Sequence, residues 1–206
     1  IVGAGTGLVI SRGIINSDII EVLSSEWCHI EFAPKNLKEW ELKVWLKDFL
    51  NLERISYERI ISGEGLCNIA KWRFSYPDAI NHSFQKILNE SKTSKKTQKK
   101  LASEICKFSG KGDSLLREIE NIWLSNYASY LGDVALHELC FGGLWISGGT
   151  APKHFKNFKS DSFLKHFSDK GRYKDILKSI PVKVILDAEF GLFSAACRAK
   201  MLLKNT

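Results

Sequence analysis

Short apolar runs separated by glycine open the chain, and this pattern predicts strands joined by a tight turn. Residues 1–10 are a predicted strand, a turn containing Gly3, Gly5 and Gly7, and a second strand. A third strand is predicted over residues 19–23. Glycines at alternate positions let the backbone turn sharply and leave amide N–H groups able to face an anion. A plain hairpin explains the same residues equally well.

The apolar periodicity becomes helical after residue 34. Asn36 and Glu39 have the spacing of a capping box, so Leu37–Leu50 is predicted to be a helix. Ser56 suits the cap of a short helical turn before a second helix over residues 65–74. The predicted apolar face of the first helix contains Leu37, Trp40, Val44 and Leu50, with Trp45 and Phe49 beside it. A long helix is predicted over residues 114–140, with Leu116, Ile119, Trp123, Leu131 and Val134 in the core and Gly132 at a close contact.

A second glycine-rich element lies within residues 141–153. A strand of four residues is predicted between the pairs Gly142-Gly143 and Gly148-Gly149. A Gly-Gly pair after a strand lets a flat ring lie against the backbone, and tight packing is an equally good explanation. A helix over 155–167, a strand over 182–186 and a closing helix over 191–203 complete the chain.

The order of elements is three strands, helices, strand, helix, strand, helix. A meander followed by right-handed crossovers predicts an α/β fold, a mixed sheet with helices on both faces. One lobe of the ribonuclease-H-like, actin-like ATPases has this arrangement.

Composition narrows the class of protein. The 206 residues, 44% of them hydrophobic, predict one packed domain. The net charge of +7 favours anionic partners. Five scattered cysteines without C-x-x-C predict neither disulfides nor a structural zinc site, and favour a reducing, cytoplasmic location. A membrane-spanning helix needs about 18 consecutive apolar residues, and no apolar run in the sequence approaches that length. We therefore expect no membrane partner.

Residues 91–100 contain five lysines. A basic run can contact nucleic acid, but this one has no aromatic residues for base stacking. We therefore predict a solvated loop and no nucleic-acid partner.

The segment from Glu26 to Pro34 has the most distinctive candidate chemistry. In an extended turn, Glu26 and His29 could point into one cleft while Ile30 and Phe32 anchor the segment. Glu26 accepts hydrogen bonds and His29 accepts or donates them, a pair that suits a ligand rich in hydroxyls. A surface glutamate and a histidine already satisfied within a strand are the simpler alternative. Glu58, near a helix start, is explained equally by the helix dipole.

Several motifs, in their order along the chain, resemble those of the bacterial glucokinase family. They are G-A-G-T-G-L from Gly3, E-x-x-H-I-E-F-A-P from Glu26, E-R-I-I-S-G-x-G-L from Glu58, G-G-L-W-I-S-G-G-T-A-P from Gly142, and K-G-R, I-P-V and G-L further on. The resemblance extends from Gly3 to about Arg198. It implies transfer of the γ-phosphate of ATP to the 6-hydroxyl of glucose, with ATP and Mg²⁺ as cofactors and a homodimeric enzyme.

The resemblance also assigns site residues. Glu26, His29 and Glu58 fall on the family's glucose-binding positions. The implied ATP-binding residues are Gly3, Gly5, Thr6 and Gly7 in the phosphate loop and Gly148 and Gly149 in the adenosine motif.

The chain departs from the family pattern at three positions and in its extent. Trp27 and Cys28 stand where the family has glycines, and Val9 stands where it has another. The chain opens on Ile1-Val2, and the family's D-x-G-G-T loop and base aspartate do not occur in it. We therefore expect residues 1–206 to be the C-terminal large lobe, a fragment that contains no catalytic base.

One alternative stays open at this stage, and a second is set aside. Trp27 and Cys28 could mark a sugar- or nucleotide-sensing module without catalysis. The repressor-related sugar kinases share a similar fold but have a zinc site of clustered cysteine and histidine, and this chain has no C-x-C-G.

Overall fold

A five-stranded mixed sheet forms the centre of the computed structural model, which describes residues 1–16, 19–90, 95–187 and 189–204. The strands are β1 (Val2–Ala4), β2 (Leu8–Asn16), β3 (Ile19–Ser25), β4 (Leu144–Ser147) and β5 (Val182–Val184). Their order is β3-β2-β1-β4-β5. The β1–β2 and β2–β3 pairs are antiparallel, while β1–β4 and β4–β5 are parallel. This meander with crossovers confirms the predicted fold class.

Helices account for most of the remaining described residues. They are α1 (Leu37–Leu50), α2 (Glu58–Ile61), α3 (Gly63–Arg73), α4 (Gln85–Glu90), α5 (Lys95–Ser109), α6 (Ser114–Glu138), α7 (Phe155–Phe158), α8 (Asp161–Ser168), α9 (Lys174–Ser179) and α10 (Phe190–Lys204). The helix predicted over 155–167 is divided in two, because Ser160 accepts a hydrogen bond from the Phe163 amide and caps a new helix. None of the helices in the described ranges is both long and apolar enough to cross a membrane.

The long helix α6 is the centre of the core. Its predicted core positions are all buried: Leu116, Ile119, Trp123, Leu131 and Val134. Gly132 lies against the carbonyl oxygen of Phe167 at the end of α8, and a Cβ there would overlap it. The close helix contact predicted at this glycine is therefore confirmed.

The predicted apolar face of α1 is wrong for four of its six residues, and only Trp45 and Leu50 are partly buried against the core. Leu37, Trp40, Val44 and Phe49 are exposed, and the residues that α1 buries are Glu39, Leu42 and Leu46. Glu39 is turned inward because its carboxylate accepts hydrogen bonds from the Lys35 amide at 2.8 Å and from Asn126 Nδ2 at 3.3 Å. The cap itself is as predicted, since Asn36 accepts from the Glu39 amide.

The loop predicted over residues 91–100 is wrong for its second half. Residues 91–94 lie outside the described residues, and residues 95–100 are the first turns of α5. Leu101 and Ile105 of α5 are fully buried. Burial of an amphipathic face stabilises a helix more than local propensity does, so the helix extends into the lysine-rich stretch.

Replacing Gly132 with alanine should destabilise the protein, because the added methyl group would force α6 and α8 apart. We expect the free energy of unfolding to fall by about 1–3 kcal/mol in urea denaturation, the usual cost of overpacking. Gly13→Ala is the matched control, since a Cβ at Gly13 meets nothing within 4 Å. Equal stabilities of the two variants would contradict the proposed close contact.

Candidate functional site

Backbone pairing brings two polar segments together that lie far apart in the chain. Trp27–His29 forms a 3₁₀ turn rather than the extended turn predicted there. After it, the Phe32 amide donates to Ile55 O at 2.7 Å and the Tyr57 amide donates to Ile30 O at 3.1 Å. These bonds hold the segments 30–32 and 55–57 side by side. The residue after Tyr57 therefore lies beside the 3₁₀ turn.

That residue is Glu58, and it completes a cluster with Glu26 and His29. Nε2 of His29 lies 3.5 Å from Oε2 of Glu26, and Nδ1 lies 3.8 Å from Oε2 of Glu58. The side chains are 86% exposed for Glu26, 48% for His29 and 25% for Glu58. The imidazole therefore lies between two carboxylates on a face open to solvent. Such a face offers several hydrogen-bond acceptors to a polar ligand.

Glu58 also contacts the first glycine-rich turn. Its Oε1 accepts a hydrogen bond from the Leu8 amide at 3.2 Å. A Cβ at Gly7 would lie 2.6 Å from the same oxygen, so a larger residue at this position would displace the Glu58 carboxylate. The turn is closed by a 2.8 Å bond from the Gly5 amide to Gly7 O, and Gly63 N donates to Gly5 O at 2.8 Å.

The tip of this turn is available to a ligand. Within the described parts of the chain, the amides of Thr6 and Gly7 have no hydrogen-bond partner. Thr6 is exposed and Gly5 and Gly7 are half-buried. Successive unpaired amides at a turn form a concavity that favours anions. Gly3 differs from these residues because it is buried within β1, where a Cβ would lie 3.0 Å from Ser147 Oγ.

The second glycine-rich turn lies against the end of β1. Gly148 has φ +90°, and a Cβ there would lie 2.5 Å from Ala4 O. The same oxygen accepts hydrogen bonds from Thr150 N at 3.2 Å and Thr150 Oγ1 at 2.8 Å. Gly149 is exposed and has open space around it. Because β1 and β4 are parallel neighbours, the two turns lie at the same edge of the sheet.

The two larger residues of the 3₁₀ turn are directed inward. The Trp27 ring lies 4.5 Å from the ring of His137 and 6.3 Å from that of Tyr130. Cys28 is buried, with Sγ 3.7 Å from Glu26 Oε2. Burial, reinforced by the charges of Glu26 and Glu58, raises the pKa of the Cys28 thiol to about 11. Neither side chain therefore blocks the exposed face of Glu26 and His29.

Sequence reasoning missed the groups that hold the cluster in place. Arg54 Nη1 donates to His29 O at 2.7 Å and fixes the end of the 3₁₀ turn. The Leu8 amide on Glu58 is the second such group. An arginine in a loop and a backbone amide have no sequence signature, so only the fold reveals them.

Two solved structures resemble the described fold. A glucokinase from an Antarctic psychrotroph has a TM-score of 0.69 and 25% identity, covering 90% of this chain and 53% of that one. A ROK family glucokinase from Streptomyces griseus, in complex with glucose and AMPPNP, has a TM-score of 0.56 and 20% identity, covering 97% and 59%. These similarities, together with the mixed sheet and the two glycine-rich turns, show that the chain has the actin-like ATPase fold.

Sequence comparison defines the family. The glucokinase of Synechocystis sp. is 37% identical over 210 residues, which cover 97% of this chain and 58% of that protein. The chain thus spans less than two thirds of the length of this relative. A family model described as glucokinase matches residues 1–202, and the chain belongs to the glucokinase family.

Gly7→Ala should separate the first glycine turn from Glu58, because the new methyl group takes the space of Oε1. We expect loss of the Leu8–Glu58 hydrogen bond and a fall of about 1–3 kcal/mol in the free energy of unfolding, measured in urea. Gly5→Ala is the matched control, since a Cβ at Gly5 meets nothing within 4 Å. If both variants lose equal stability, the contact does not hold the turn.

Proposed function

We propose that this chain is the large lobe of an ATP-dependent glucokinase, which transfers the γ-phosphate of ATP to the 6-hydroxyl of glucose. The observation that carries the proposal is the position of Glu58. One carboxylate oxygen binds the amide that follows the first glycine turn, and the other faces His29. A residue placed in this way joins a site for sugar hydroxyls to a site for phosphate.

Glu26, His29 and Glu58 would bind the hexose. Two carboxylates accept hydrogen bonds from neighbouring hydroxyls, and the imidazole between them donates or accepts a further one. Each such contact discriminates against sugars that lack the matching hydroxyl, because a polar group of the site would then be left unpaired.

The two glycine turns would bind ATP. The amides of Thr6 and Gly7 are suited to phosphate oxygens, and the open backbone at Gly148 and Gly149 is suited to the flat adenosine. The Streptomyces griseus neighbour was solved with glucose and AMPPNP together, so this fold accommodates both ligands. Mg²⁺ would neutralise the phosphates, and phosphoryl transfer would depend mainly on positioning and charge stabilisation.

The catalytic base is proposed to be an aspartate of a second lobe outside residues 1–206. Glu26 and Glu58 both flank His29 and are assigned to holding hydroxyls rather than to removing a proton. For the whole enzyme we propose a homodimer in the cytoplasm. The scattered positions of the five cysteines, with no C-x-x-C pair, support a reducing compartment. The exposed apolar residues Leu192, Phe193 and Leu202 of α10 support contact with another protein surface.

The packing of Trp27 bears on the alternative of a non-catalytic sensor. That alternative was motivated by two large residues in a turn that has glycines in the family. The Trp27 ring packs at a tilt against His137 and Cys28 is buried, so both leave Glu26 and His29 accessible. The geometry therefore favours the enzyme.

Glu58→Gln should weaken glucose binding by about 10- to 100-fold, the effect of losing 1.5–3 kcal/mol from a charged hydrogen bond. Glutamine keeps an acceptor for the Leu8 amide, so the turn should remain intact. Titration calorimetry or saturation-transfer NMR measures the affinity. Glu53→Gln, which alters an exposed carboxylate after α1, is the control. Unchanged affinity in Glu58→Gln would remove this residue from the sugar site.

Residues 1–206 alone should not phosphorylate glucose. Proton transfer from the attacking hydroxyl requires a base within about 3 Å, and an open cleft loses the water-excluded electrostatics on which transfer depends. A coupled assay for glucose 6-phosphate would compare the chain alone with the chain plus the unmatched part of the Synechocystis relative. Turnover by the chain alone at the rate of an intact kinase would assign the base to Glu26. Sugar binding without turnover in the reconstituted pair would favour the sensor.

A further inference from the structure

Three side chains at the 3₁₀ turn have the spacing of metal ligands. Oε2 of Glu26 lies 3.5 Å from Nε2 of His29 and 3.7 Å from Sγ of Cys28. One ligand atom from each of the three residues lies within 4.8 Å of the others. Bonds of about 2.0–2.3 Å to a tetrahedral Zn²⁺ place its ligand atoms about 3.3–3.8 Å apart. Only small side-chain movements would be required to bind such an ion.

We propose that Glu26, Cys28 and His29 bind a thiophilic divalent cation such as Zn²⁺, and that this cation competes with the hexose. The cation site stands on its own geometry, whereas the competition rests on the proposed function. Carboxylate, thiolate and imidazole together select Zn²⁺ over Mg²⁺, which prefers oxygen ligands. A sequence search for C-x-x-C cannot find this set, because it contains one cysteine.

The position of Glu58 supports the assignment independently. A histidine bound to zinc through one ring nitrogen usually directs the other towards a carboxylate, which fixes the ring and makes it a better ligand. Here Nε2 of His29 faces Glu26 Oε2 at 3.5 Å, while Nδ1 faces Glu58 Oε2 at 3.8 Å. A small movement of either side chain would bring this second carboxylate into hydrogen-bond distance of Nδ1.

A second group in the described residues, Cys106, Glu120 and His154, also has its three ligand atoms within 4.8 Å of one another, but it lies largely inside the fold. Cys106 Sγ lies 3.4 Å from Nε2 of His154, but Glu120 Oε1 lies 3.1 Å from Nδ1. Sγ and Oε1 therefore each lie next to a different ring nitrogen of His154, and both His154 and Glu120 are buried, unlike Glu26 and His29. This buried group stabilises the packing of α5 and α6, and it provides a matched control.

Binding would remove the groups on which the sugar depends. The Cys28 thiol would lose its proton to solvent as the S–Zn bond forms, and water would complete four-coordination. Glu26 and His29, occupied by the cation, could no longer accept from hexose hydroxyls. Because a proton is released, cation binding should strengthen as pH rises.

Cobalt is the direct probe of the thiolate ligand. Co²⁺ titrated into the 206-residue chain should produce a thiolate-to-metal charge-transfer band in the near ultraviolet, and Zn²⁺ should abolish it. Cys28→Ser should remove the band, and Glu26→Gln, on a side chain 86% exposed, should weaken Co²⁺ binding by about 10- to 100-fold without affecting the fold. Cys106→Ser should leave both the band and the affinity unchanged.

The outcomes separate the two proposals. Loss of the band in Cys106→Ser but not in Cys28→Ser, or no band in the wild-type chain, would overturn the cation site. Glucose binding in a chain that shows no band would overturn it while leaving the sugar site intact. A Cys28-dependent band that excess glucose does not reduce would support the cation site and overturn the competition.

Discussion

The Glu58 carboxylate is the constraint on which the arrangement of the site depends. Its two oxygens are used differently, one for the Leu8 amide and one towards His29. Its backbone oxygen accepts from the Ser62 hydroxyl at 2.6 Å, and Ser62 O accepts from Trp123 Nε1 at 3.1 Å. Trp123 is fully buried in α6. A chain of hydrogen bonds thus connects Glu58 to the core, so the core fixes the position of this carboxylate.

The order of elements could be predicted because glycine and proline mark their ends in this chain. β4 lies between two glycine pairs, and α1 begins at an asparagine cap. The orientation of α1 could not be predicted, because Glu39 is charged and is nevertheless buried by hydrogen bonds to Lys35 and Asn126. Asn126 lies on α6, and a helix's own periodicity contains no information about such a distant partner.

The candidate site, like the fold, could be predicted from the sequence only in part. Motif positions indicated Glu26, His29 and Glu58, but their proximity depends on backbone bonds between residues 30–32 and 55–57. Spacing along the chain cannot reveal that pairing. The sequence identified the glycines of the two turns, but it did not show which of them make close contacts. Gly7 and Gly148 are needed for close approach to Glu58 and Ala4, whereas Gly3 is buried in a strand and Gly5 and Gly149 have open space around them.

The contact between the Trp27 and His137 rings has an optical consequence. The indole adjoins both Glu26 and Cys28 in the chain, and its ring lies 4.5 Å from an imidazole. Tryptophan emission responds to the distance and charge of such a neighbour, so a shift of the 3₁₀ turn would change the fluorescence. Of the six tryptophans, Trp72 and Trp123 are almost completely buried in the core. The difference spectrum between the wild-type chain and Trp27→Phe would isolate the signal of this one indole. The fluorescence of Trp27 therefore reports ligand binding at Glu26, His29 and Glu58 without an added label.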